Sequence, residues 1–163
     1  MDSKILFFCV LIVNIYLITD ANQVFNYVVT IKTADNKFSS HEGKLNLDIL
    51  SSNGLTSSQE DFELTPNGVK LAKNHVYTAN IASFSPLDNI TSVYLGWNLV
   101  SNYNLFYKIK KPMVYFDPIT IGTTYDDPNS HMSVTLNRKF CPTTLPIGIK
   151  SGKGASFHPC ISN

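Results

Sequence analysis

The chain has 163 residues, with 13 Lys plus Arg against 12 Asp plus Glu, and hydrophobic residues make up 44%. So even a balance leaves no concentrated basic face for a phosphate backbone, which excludes nucleic acid as a natural partner. The length suits one domain with a real core and is too short for two comfortable ones.

The chain opens on a targeting segment. Lys4 precedes an apolar run from Ile5 to Ile18, interrupted only by Asn14 and closed by Thr19-Asp20-Ala21. That run is shorter than the roughly 20 residues a membrane-spanning helix needs, and Thr19 and Ala21 stand where signal peptidase reads small side chains. The pattern predicts a signal peptide over 1–21, cleaved after Ala21, and a secreted domain over 22–163; an uncleaved anchor is the alternative. The leader carries Lys4, Asp2 and Asp20, so the mature chain keeps twelve basic and ten acidic residues.

Strand signals follow. Phe25, Tyr27, Val29 and Ile31 alternate with Asn26, Thr30 and Lys32, the period-two pattern of a half-buried strand. The period recurs in Leu45, Leu47 and Ile49 and in Val93, Leu95, Trp97 and Leu99, with turn residues at Ser51-Ser52-Asn53-Gly54 and Pro66-Asn67-Gly68. Further strand-like runs are Asp61–Leu64, His75–Phe84, Pro112–Ile121, Met132–Phe140 and Ala155–Cys160. No window carries helical periodicity, so the expected fold is all-β and antiparallel, with about eight strands. A sandwich of two four-stranded sheets is the economical arrangement and a small closed barrel the alternative. Lys150-Ser151-Gly152-Lys153-Gly154 reads as the most flexible stretch.

Cys9 lies in the leader, leaving Cys141 and Cys160 as an even pair expected to form a disulfide. His41, His75, His131 and His158 lack the short spacing zinc requires, so no metal and no other cofactor is expected. Asp126-Asp127-Pro128-Asn129 gathers oxygen ligands, yet its spacing matches no complete calcium loop and suits a turn. Catalysis finds no support either. Serine hydrolases need a Gly-x-Ser-x-Gly elbow, and in Gly154-Ala155-Ser156-Phe157-His158 a histidine replaces the second glycine. Gly152-Lys153-Gly154 lacks the upstream glycine and the hydroxyl residue of a phosphate loop. Asn89-Ile90-Thr91 is the one N-glycosylation sequon.

Residues 99–107 are neither cleanly alternating nor turn-like. Tyr103, Leu105, Phe106 and Tyr107 crowd together, and Lys108, Lys110 and Lys111 follow at once. An exposed apolar loop with a basic collar would place its large side chains in a lipid or protein partner and its lysines on anionic headgroups or an acidic protein patch. The other reading makes 103–107 a strand whose aromatics fill the core.

These landmarks resemble the carboxy-terminal PLAT domain of the pancreatic and lipoprotein lipase family. Phe25-Asn26-Tyr27-Val28-Val29-Thr30-Ile31 is similar to its first strand, and the stretch from Gly43 to Gly54 to its second strand and turn. Phe62-Glu63-Leu64 and Val93-Tyr94-Leu95-Gly96-Trp97 fall where later landmarks stand. Phe140-Cys141-Pro142 and Ser156-Phe157-His158-Pro159-Cys160 resemble the terminal disulfide. The resemblance implies a sandwich that docks lipid or a partner, with Tyr103, Leu105, Phe106 and Tyr107 in the place of the lipid-facing loop. The family's catalytic domain has no counterpart here, its tryptophans at that loop are replaced, and no colipase contact can be carried over. The expected role is a secreted non-catalytic module for a lipid or lipoprotein surface, with peripheral membrane contact. The alternatives are docking to a secreted protein, such as a lipase or a receptor, or a shortened lipase relic; the leader joined directly to the first strand argues against the relic.

Overall fold

The computed structural model describes residues 23–35, 41–100, 111–127 and 132–161. Eleven strands occur among them: β1 (Phe25–Lys32), β2 (His41–Ser52), β3 (Ser57–Glu63), β4 (Val69–Leu71), β5 (Val76–Ser83), β6 (Ile90–Leu99), β7 (Met113–Phe116), β8 (Ile119–Asp127), β9 (Met132–Cys141), β10 (Ile147–Lys150) and β11 (Lys153–Pro159). One 3-10 turn, Leu87–Asn89, joins β5 to β6. No helix among the described residues is long and apolar enough to cross a membrane. The predicted leader lies outside the described residues.

The all-β expectation holds, and among the described residues every pairing between strands is antiparallel. Eight strands form one nearly closed path in the order β3-β2-β6-β11-β9-β8-β1-β5, with β4 beside β2 and a separate β7-β10 pair. The path turns its corner within β11. Lys153–Phe157 pair with β6, and His158 and Pro159 pair with β9, so one strand serves both layers. A regular strand buries alternate residues, which is why Tyr27, Val29 and Ile31 of β1, Leu45, Leu47 and Ile49 of β2 and Val93, Leu95 and Trp97 of β6 enter one core. Phe116, Phe140 and Phe157 fill the space between the layers.

Three features depart from the sequence reading. The run Pro112–Ile121 is two strands, because the chain breaks at Asp117-Pro118, where the Asp117 N–H donates to Lys32 O at 2.9 Å. β4 and β10 escape a period-two search because three or four residues cannot establish a period. The stretch expected to be flexible is a tight turn between β10 and β11, with Ser151 buried and Gly152 at φ 77°. The Cys141–Cys160 disulfide is present with a Cα separation of 5.0 Å, and the Cys160 N–H donates to Lys139 O.

Candidate functional site

Of the residues assigned to the loop, Tyr103, Leu105, Phe106, Tyr107, Lys108 and Lys110 lie outside the described residues; Lys111 is described and exposed. What the structure gives is the platform from which residues 101–110 depart and to which they return. β6 delivers Leu99 and Val100 to it, and β7 begins just beyond Lys111 and Pro112.

Trp97 anchors this end. Its indole is fully buried, donates from Nε1 to Ile149 O at 2.7 Å, and stacks on His41 with ring centroids 6.2 Å apart. Gly43 sits against the same ring, where a Cβ would lie 2.8 Å from the indole Cε3. Val100 is half exposed, donates its N–H to Glu42 O, and packs on Gly68, whose φ of 76° and lack of a side chain the turn requires.

Ser151 ties both roots of the segment together. Its Oγ accepts from the Leu99 N–H at 3.1 Å and its own N–H donates to Pro112 O at 2.9 Å, while the Gly152 N–H donates to Trp97 O. The turn between β10 and β11 is therefore a clamp across the exit and the return of residues 101–110. Sequence reasoning missed Ser151, since a serine beside glycine carries only a turn signal.

Lysines ring the clamp. Lys111 places its ammonium beside Gly152, Lys150 stands opposite Met113, Lys153 opposite Trp97, and Lys70 of β4 opposite Glu42. All four are exposed, and among the described residues none is in an ion pair. Lys32, Lys44 and Lys73 differ, each meeting a carboxylate at 3.5, 3.1 and 2.9 Å, from Asp117, Glu63 and Asp35. The sequence reading named Lys111 in this rim; Lys70, Lys150 and Lys153 reach it only through strand pairing.

The opposite end is closed by polar groups bonded to one another. Glu60 Oε1 accepts from Ser83 Oγ at 2.8 Å and Ser85 Oγ at 2.7 Å, and Oε2 accepts from the Phe84 N–H at 2.9 Å. Ser51 Oγ lies 2.7 Å from both Ser58 Oγ and Ser85 Oγ, and the Tyr27 hydroxyl donates to Ser85 O. Burial, reinforced by the Glu60 charge, pushes the Tyr27 phenol up to about 12. Asn89 sits near this end, in the 3-10 turn whose carbonyls at Leu87 and Asp88 accept from Arg138.

The other singled-out residues stay apart. Ser156 and His158 lie on a regular strand on either side of buried Phe157, where no sharp turn presents the hydroxyl. His75 packs edge-on against Tyr77. Asp126 accepts from Ser133 Oγ within β8-β9, and residues 128–131, with His131, lie outside the described residues. Among the described residues no three His, Cys, Asp or Glu side chains gather into a metal-holding group.

No family model matches the chain, and no curated protein matches it. Solved structures do. A lipoxygenase variant, Delta413-417:GS I805A, aligns over 86% of this chain at TM-score 0.57 and 10% identity. The anaerobic structure of delta413-417:GS lipoxygenase with arachidonate aligns over 86% at 0.57 and 11%. The alpha toxin from Clostridium absonum aligns over 88% at 0.50 and 13%. The chain spans 17% of the lipoxygenases' length and 34% of the toxin's. Likeness at such identity speaks for the fold alone, which is a PLAT-like β-sandwich.

Proposed function

We propose that this chain is a secreted, non-catalytic module that meets a lipid or lipoprotein surface through residues 101–110 and the lysine rim around them. The observation that carries the reading is the rim itself: Lys70, Lys111, Lys150 and Lys153 surround the clamped roots of an aromatic-rich segment and have no carboxylate partners among the described residues. Exposed cations near an anionic membrane surface contribute about 1 kcal/mol each, and Leu105 and Phe106 add roughly 1.5 to 3 kcal/mol each on leaving water.

The fold neighbours support the same direction, since one of them is a lipoxygenase structure holding arachidonate. In this reading 1–21 is the leader, the strand path is a two-layer sandwich of four strands each, and kinship with the lipase domain is part of the proposal. Lys108 and Lys110 adjoin Lys111 in sequence and add to the same positive charge, and a glycan on Asn89 would sit at the far end, clear of the lipid. Chemistry is left to other proteins.

The test is co-sedimentation of the purified protein with phosphatidylcholine vesicles and with vesicles containing phosphatidylserine, at rising salt. Binding that is stronger to the anionic vesicles and weakens with salt, while a residual apolar component persists, is the expected result. Absence of binding to both compositions would refute it. A short-chain ester assay should give no turnover; turnover lost in Ser156→Ala would show the chain to be an enzyme.

A further inference from the structure

β3 and β5 are the two ends of the strand path, so among the described residues each has a strand partner on one side only. A free edge presents a row of N–H and C=O groups that only another extended backbone matches fully, and natural sheets blunt such edges with charges, proline, bulges or brevity. β3 is blunted by Glu60, Asp61 and Glu63. β5 carries none of these devices. Its eight residues, Val76-Tyr77-Thr78-Ala79-Asn80-Ile81-Ala82-Ser83, include no charge and no proline, and they hold unbroken register with β1 from Phe25↔Ser83 to Lys32↔Val76. The adjoining groove, about 550 Å³ and lined in part by Asn26, Val28, Asn80, Ala82 and Thr124, is also uncharged.

We infer that β5 is a pairing edge whose occupant is β5 of a second copy, in an antiparallel two-fold dimer that continues the β9-β8-β1-β5 layer across the interface. Charge selects this edge. Self-pairing of β3 would bring carboxylates against carboxylates, which is unfavourable, whereas self-pairing of β5 opposes no charges. Symmetry narrows the register. Residues opposite one another in an antiparallel pair share a face, and a two-fold axis normal to the sheet preserves faces, so the axis passes through a residue and not between two. The centre is Ala79 or Asn80. The Ser83 end of β5 is held by Glu60, which bonds Ser83 Oγ and the Phe84 N–H, so the register that leaves Ser83 out is favoured. It centres on Ala79 and sets Thr78 against Asn80, Tyr77 against Ile81 and Val76 against Ala82.

Sedimentation equilibrium on the purified protein expressed from the full chain, across about 1 to 100 µM, reads the assembly by mass action. The expected result is a concentration-dependent doubling of mass. Thr78→Lys with Asn80→Lys should raise the dimer dissociation constant at least about ten-fold while the circular dichroism spectrum stays as in the parent and the melting temperature matches it at dilutions where both are monomeric. Ala79→Cys should oxidise to a linked dimer, because residues facing one another at the axis lie within disulfide reach, and Asn80→Cys should link far less. A monomer at every concentration would overturn the proposal, as would a dimer indifferent to the two lysines. Preferential linking through Asn80→Cys would overturn the register.

Discussion

The two ends of the sandwich treat polar groups in opposite ways. At the Tyr27 end, Ser51, Ser58, Ser83, Ser85 and Glu60 bond to one another and to Phe84 N–H, closing the gap between β3 and β5. At the Trp97 end the buried groups are equally satisfied, through Trp97 Nε1 and Ser151, but Lys70, Lys111, Lys150 and Lys153 stand outside in water, and among the described residues none is in an ion pair. Buried hydrogen bonds maintain a fold, since each unsatisfied buried group costs about 1–3 kcal/mol. Exposed like charges gathered on one rim add nothing to the fold and favour an anionic partner. The first end is built for stability, and the second leaves its charges free for the contact proposed above.

The largest expected effect falls on the anchor of the contact end. Trp97→Ala removes a fully buried indole and strands Ile149 O, so denaturant unfolding should show a loss of about 3–5 kcal/mol. A loss below about 1 kcal/mol would mean that the platform does not depend on that ring. Reduction of Cys141–Cys160 comes next, at about 3 kcal/mol in the loop-entropy account. The far-ultraviolet spectrum should keep its strand signature, because β11 is already held between β6 and β9.

The closed end has its own pH signature. Tyr27 titrates near 12 in the fold, against about 10 for the unfolded chain. The contribution is fully present below pH 10 and is lost as pH rises from 10 toward 12, because the unfolded chain releases its proton first. The loss is on the order of 2 kcal/mol, and an alkaline absorbance titration should show one tyrosine ionising last. Glu60→Gln should move that ionisation to lower pH, the Glu60 charge being the second cause of the shift after burial. The smallest stability change belongs to the rim: Lys150→Glu with Lys153→Glu should alter unfolding free energy by no more than about 0.5 kcal/mol per site while weakening binding to anionic vesicles.

Much of the fold was legible because β1, β2 and β6 alternate cleanly: Tyr27, Val29, Ile31, Leu45, Leu47, Ile49, Val93, Leu95 and Trp97 are buried as the pattern named them, while Phe25 and Leu99 are only half-buried and Ile90, buried at the start of β6, was not named. What the pattern could not carry is non-local. Nothing in Ser156-Phe157-His158 says that pairing passes there from β6 to β9, and nothing around Ser151 says that its hydroxyl meets Leu99 across 52 positions. The same holds for the rim. Lys108, Lys110 and Lys111 announce themselves as a run, but Lys150 and Lys153 join Lys111 only because β10 pairs with β7 and β11 with β6.

The most direct test of the contact end changes Leu105 and Phe106 to Ser in one protein and follows vesicle binding and melting temperature together. The account predicts that binding falls at least about ten-fold while the melting temperature stays within a degree or two, since exposed apolar side chains leave water only on the lipid. Unchanged binding at unchanged stability would contradict it, and so would a fall of many degrees in melting temperature, which would put both side chains in the core.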